Sequence, residues 1–215
     1  MFELAVVFGG SFTLALSGAL MPGPLLTVTI AESAHRGFVA GPLLMVGHAV
    51  LELALVVAII LGLGPFLKIA PVMGGIALVG GAILLWMGMQ MIRTAGNLSL
   101  NMDGSEARVA SYPVLTGILA SLSNPYWTLW WATIGLGYLV AAIKLGVLGV
   151  GVFFVGHIAA DFLWYSIVSY GISRGKRILK DRAYQHIIRF CGVFLLGFGA
   201  WFLLAGRAYL RKGTL

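Results

Sequence analysis

The chain has 215 residues, of which 60% are hydrophobic and only 10% charged, with 14 Lys/Arg against 7 Asp/Glu and a net charge of +7. Together with a mean hydropathy of +1.00, this excludes a water-soluble domain and a disordered chain, and it marks an integral membrane protein. Eight of the fourteen basic residues crowd into Arg174 to Arg189 and the last five residues, so the charge reads as membrane topology and not as a nucleic-acid interface.

The apolar runs suit helices, which need ~20 residues to cross a hydrocarbon core, and strand-like alternation is absent. The first expected span is Phe2 to Ala31. Glu3 stands where a signal peptide would carry basic residues, so the span is expected to stay. Within it Pro22, Gly23 and Pro24 interrupt the helix. The prolines lack the N–H groups that would bond the carbonyls of Gly18 and Leu20, and Met21 and Gly23 precede proline. Thr27 lies one turn beyond the break, and Glu32 ends the segment beside His35 and Arg36 as either a gate residue or a loop carboxylate. The second span, Ala40 to Leu63, carries Gly47, His48 and, four residues after the histidine, Glu52. The third, Ile69 to Ile92, is rich in glycine, and Met87, Met89 and Met91 are expected to pack within it.

Thr94 to Tyr112 is a polar linker, so the expected division is residues 1–93, 94–112 and 113–215. The fourth span, Pro113 to Val140, repeats the interruption at Asn124 and Pro125, where Ser121 loses its helical donor. Thr128 follows one turn later, with Trp127, Trp130 and Trp131 as a candidate hydrophobic or cation–π wall. The fifth span, Val147 to Tyr170, carries Gly156, His157 and Asp161 at the spacing of the earlier triplet. The sixth is Ile187 to Leu204, and its lone Cys191 has no disulfide partner.

Three elements recur in order. Pro24, Thr27 and Ala31 superpose on Pro125, Thr128 and Ala132 at a shift of 101 residues, and the Gly-His-acid triplets at 109. Gly74, Gly81, Gly88 and Arg93 meet Gly192, Gly199, Gly206 and Arg211 at 118. Three spans per half is an odd number, so the second half enters the membrane inverted, an architecture common among secondary transporters. The expected fold is therefore all-α, six transmembrane helices in an inverted repeat of three plus three. Loops one, three and five carry nine basic residues against five on the other side, which places both termini outside.

Each histidine shares a helix face with the acid four residues on. A carboxylate at such depth costs ~2.5–3.5 kcal/mol, so the two pairs suggest a buried polar pathway. Unwound backbone at membrane depth survives only inside protein or beside a water-filled cavity. Helices restarting at Pro24 and Pro125 would aim free N–H groups at a substrate carboxylate. Glu52 and Asp161 would receive an ammonium group or a coupling proton, with His48 and His157 stabilising them or relaying the proton. Pro22, Gly23, Pro24, Thr27, Asn124, Pro125 and Thr128 are thus the expected substrate-binding residues. The blander readings are simple proline kinks, threonines bonded to their own helices and histidines in ordinary interhelical hydrogen bonds. The same two histidines and two acids also form a ligand set for a divalent transition metal, the alternative cargo. No HExxH helix or nucleophile motif appears, so neither an enzyme nor a cofactor is expected.

The segments MPGPLLTVTIAESAHRG, GPLLMVGHAVLE, SLSNPYWTLWWATIG and VGHIAADFLWY resemble the lysine-exporter (LysE/RhtB-type) family of amino-acid translocators over nearly the whole chain. The Pro-Gly-Pro element maps onto Pro22, Gly23 and Pro24, and the Asn-Pro element onto Asn124 and Pro125. The resemblance implies a six-helix protein of the prokaryotic inner membrane that exports amino acids on the proton motive force, without ATP. Two departures bear on substrate choice: His48 follows Gly47 where the family has Asp, and Tyr126 follows Pro125 where it has Lys. Basic, neutral and small hydrophobic amino acids all stay open as cargo. A homodimer is expected from the protein's small size.

Overall fold

The computed structural model describes residues 1–66, 69–97, 112–175 and 181–212. Among these the chain is helical throughout and contains no strand: α1 (Phe2–Ala19), α2 (Pro24–Arg36), α3 (Ala40–Ala58), α4 (Ala70–Thr94), α5 (Pro113–Leu122), α6 (Pro125–Trp130), α7 (Leu136–Ile143), α8 (Gly146–Gly175) and α9 (Asp181–Lys212). Six helical segments are long and apolar enough to cross a membrane. The linker residues 98–111, and with them Arg108, as well as Lys68, Lys176, Arg177 and Lys180 of the charge count, lie outside the described residues.

The boundaries shift where local chemistry decides them. The expected run from Phe2 to Ala31 is divided: α1 closes with Leu20 N–H on Leu16 O and Met21 N–H on Gly18 O. Gly23 is extended at φ −148°, and α2 starts with Pro24 at its first position, where the missing N–H costs nothing. α2 then runs past Ala31 to Arg36 and joins α3 through one tight turn, Gly37–Val39. Gly37 permits that junction with φ +76°, a left-handed value a side chain would resist. The fourth span breaks in the same manner: α5 ends at Leu122, and Asn124 caps α6 by accepting the N–H of Tyr126 at 3.2 Å. A five-residue π turn, Trp131–Gly135, links α6 to α7. The sixth span is longer than expected, beginning at Asp181.

Packing follows the glycines. α4 and α9 form the most extensive pairing, and their glycines recur every seven residues: Gly74, Gly81 and Gly88 face Gly206, Gly199 and Gly192. A Cβ added at Gly81 would sit 2.8 Å from the Gly199 carbonyl, and one at Gly88 2.6 Å from that of Gly192. The backbones touch in antiparallel order, close approach being the main source of helix association where lipid removes the hydrophobic drive. α3 crosses α5 as closely, with Gly47 against Val114 and Gly117 against Leu44, and Gly156 of α8 rests on the Phe8 backbone of α1. The α1–α8 contact is reinforced by Ser11, whose hydroxyl donates to the Phe153 carbonyl at 2.6 Å. These crossings fix α3 and α8 side by side, with their polar residues directed inward.

Candidate functional site

The two histidine-acid pairs meet. His48 and Glu52 on α3 and His157 and Asp161 on α8 are all buried, with Glu52 only 1% exposed. His48 Nε2 lies 3.1 Å from Glu52 Oε1 and 3.7 Å from Asp161 Oδ2. His157 Nε2 lies 3.0 Å from Glu52 Oε2 and 3.4 Å from Asp161 Oδ2. Both imidazoles turn Nε2 toward the two acids, and His48 also bonds outward to a separate helix through Nδ1. Their rings are held there: His48 Nδ1 is 2.7 Å from Ser121 Oγ on α5, and His157 packs against Trp130 and Trp131 at centroid distances of 5.0 and 5.2 Å.

Glu52 is the most enclosed member. The indole N–H groups of Trp127 and Trp131 both donate to its Oε1, at 2.9 and 2.8 Å. An indole can only donate, so Glu52 accepts from two directions there while its other oxygen faces His157. Hydrogen bonds to a charged acceptor contribute ~1.5–3 kcal/mol, which offsets part of the cost of bringing a carboxylate to this depth. The tryptophans expected as an apolar wall thus supply polar contacts. Their spacing was the available signal, since residues four apart share a helix face. Ser121, read in the sequence only for its carbonyl, is the second addition.

A small cavity adjoins the cluster. It is lined by His48, Glu52, His157 and Asp161 together with Asn124 and Trp130, and its volume of about 40 Å³ suffices for ~2–4 waters. Trp130 Nε1 is buried and has no hydrogen-bond partner among the described residues; it lies near Gly18, whose missing Cβ would stand 3.5 Å from it. Leu25, in the first turn of α2, also borders this space. The two chain breaks are neighbours, because a Cβ at Gly23 would lie 3.4 Å from Asn124 Nδ2. Pro22 and Gly23 border a smaller cavity of about 10 Å³ that shares Asn124 with the first.

The threonines stand apart. Thr27 donates to the Gly23 carbonyl of its own helix at 3.0 Å and approaches Met91 Sδ at 3.9 Å. Thr128 lines a separate groove with residues of α4 such as Val79 and Ile83. Neither borders the central cavity. Pro24 and Pro125 enter through backbone geometry, as first residues of α2 and α6. Glu32 pairs with Arg36 at 2.7 Å near the junction where Ser169 bonds Ser33 at 2.7 Å and the Phe38 carbonyl at 2.8 Å.

Residues 16–206 match the family of LysE type translocators. The chain belongs to that family. It is similar to PA4757 of Pseudomonas aeruginosa, an uncharacterized membrane protein, with 29% identity over 143 residues, 59% of this chain and 66% of the relative. No solved structure matches the chain. Its six apolar helices and its family mark a multi-pass membrane protein of a translocator family.

Proposed function

We propose that this LysE type translocator exports amino acids or close derivatives across the prokaryotic cytoplasmic membrane, by alternating access coupled to proton movement. The observation that carries this reading is the adjacency of the buried acids, in one cavity, to Asn124 of the second chain break and to Ala19 and Leu25, which flank the first. A zwitterion needs opposite charges matched within a few ångströms, and the cavity supplies both kinds of partner. Asp161 borders it, and its Oδ2 has no aligned hydrogen-bond donor among the described residues. It is the acid offered to a substrate ammonium, while Glu52 is held by two indoles. The open N-terminal turn of α2, Asn124 and the Trp130 N–H are the groups offered to a carboxylate.

An inverted repeat, divided at the linker 94–112, is part of this proposal. The α4–α9 contacts support it: Gly74 against Gly206, Gly81 against Gly199 and Gly88 against Gly192 map onto themselves when each residue is exchanged for its repeat partner. The α1–α8 and α3–α5 pairings likewise exchange with one another. Termini on the outer side and a homodimer complete the reading.

The test is counterflow of a panel of labelled amino acids in liposomes holding the purified protein. At least one amino acid is expected to exchange well above protein-free liposomes. Glu52→Gln and Asp161→Asn are each expected to lower that exchange ~100-fold or more, as loss of about 2.7 kcal/mol at the transport transition state would do. The convergence of His48, Glu52 and Asp161 donor atoms within 4.8 Å of one another favours a second reading, divalent-cation transport. Exchange of no amino acid, together with acid-dependent metal flux, would replace the first reading by the second.

A further inference from the structure

His48 sets the problem. Ser121 has a single hydroxyl proton, and its Oγ lies 2.7 Å from the Gly117 carbonyl, which can only accept. With that proton engaged, the 2.7 Å contact to His48 Nδ1 is made by the ring N–H, an assignment that follows from the network. In the neutral ring Nε2 then carries a lone pair among carboxylate oxygens that also carry lone pairs, at 3.1 and 3.7 Å, whereas a protonated ring would donate from both nitrogens. His157 also turns its Nε2 to both acids, and its Nδ1 has no partner among the described residues. Its Nε2 is 3.0 Å from Glu52 Oε2 and 3.4 Å from Asp161 Oδ2, yet neither oxygen receives an aligned hydrogen bond among the described residues. Two carboxylates and two imidazoles thus converge in one buried space. Ring protons or a bound cation between them balance the charge.

We infer that His48, Glu52 and Asp161, closed by His157, form a binding site for a first-row divalent cation of the zinc class. Ligand atoms adjacent around a tetrahedral ion with bonds of ~2.0–2.2 Å stand roughly 3.3–3.6 Å apart, and His48 Nε2 lies 3.1 and 3.7 Å from Glu52 Oε1 and Asp161 Oδ2, while His157 Nε2 reaches the other Glu52 oxygen, Oε2, at 3.0 Å. The surroundings have the form such sites need. A ligating imidazole is fixed by a hydrogen bond from its other nitrogen, as Ser121 provides for His48, and a ligating carboxylate is itself hydrogen-bonded, as Trp127 and Trp131 provide for Glu52. Two imidazoles among the donors favour zinc, nickel or iron over magnesium and calcium, which take oxygen ligands. The ligands come as one pair from α3 and one from α8, so the ion would tie the two halves of the molecule together. The site stands whether or not amino acids are the cargo.

The experiment uses the full-length protein in detergent, stripped with chelator and titrated with Zn²⁺ by calorimetry, with X-ray absorption on the loaded sample. One ion per chain is expected, with nitrogen neighbours at ~2.0–2.1 Å. His48→Gln and Asp161→Asn are each expected to weaken binding at least 100-fold. Ser121→Ala touches no ligand atom and is expected to weaken it ~10–100-fold while the protein stays monodisperse. Thr128→Val is expected to bind as the parent does. No saturable Zn²⁺ binding, binding unchanged in His48→Gln, or Mg²⁺ bound as tightly as Zn²⁺ would each overturn the proposal. In zinc-loaded liposomes, flux marks the ion as cargo and retention marks it as resident, and either outcome upholds the site. Amino-acid counterflow measured in parallel separates the two ideas: zinc binding without any amino-acid exchange removes the exporter reading alone, and exchange without zinc binding removes the metal site alone.

Discussion

The α4–α9 seam and the α3–α8 cluster are both antiparallel helix contacts deep in the membrane segment, yet they are built on opposite principles. The seam has almost no chemistry: glycines at sevenfold spacing let two backbones touch, and dispersion holds them. The cluster places four ionisable side chains where they are costly and surrounds them with indoles and a serine. On the proposed reading of the cluster, stability and function are separated in this chain. A substitution in the seam should act on folding, and one in the cluster on transport per folded molecule.

Gly88→Leu is expected to have the largest effect. Even the first carbon of a side chain there meets the Gly192 carbonyl at 2.6 Å, and overpacking of this kind typically costs ~1–3 kcal/mol. Thermal unfolding in detergent should show a clear drop in midpoint, whereas Gly171→Ala, with nothing within 4 Å, should leave it in place. Preserved exchange per folded Gly88→Leu molecule would confirm the separation, and selective loss of exchange would break it. Trp127→Phe comes next. It keeps a ring but removes one of the two donors to Glu52, so exchange should fall ~10-fold with little change in midpoint, in line with ~1.5 kcal/mol for a bond to a charged acceptor. A fall in midpoint without a fall in exchange would make the indole a packing element only. Thr128→Val should change neither quantity measurably, because Thr128 borders a groove away from the cavity. A loss of exchange there would return that threonine to the substrate path.

The helical character and the breaks at Pro22 and Asn124 were legible because proline chemistry is local. The histidine-acid pairs were legible for the same reason, since a spacing of four residues fixes a shared face. What the pairs would do on meeting was not legible, for it depends on how α3 and α8 rotate about the Gly47 and Gly156 crossings. Trp127 and Trp131 were read as a hydrophobic or cation–π wall although their spacing matched that of His48 and Glu52. A tryptophan declares its N–H only when an acceptor arrives from another helix. The extension of α2 past Ala31 escaped notice because Glu32, read as either a gate residue or a loop carboxylate, and Arg36, counted in the first loop, pair along a continuing helix.

Two indoles ending on a single carboxylate oxygen give the molecule a built-in optical reporter. Indole emission responds to charge a few ångströms from the ring nitrogen, so any event that alters Glu52 should change the light from Trp127 and Trp131 in the unlabelled protein. Four other tryptophans form the background, and the difference spectrum against Trp127→Phe isolates the signal. The turnover of the central cluster can therefore be followed in real time by the chain's own fluorescence.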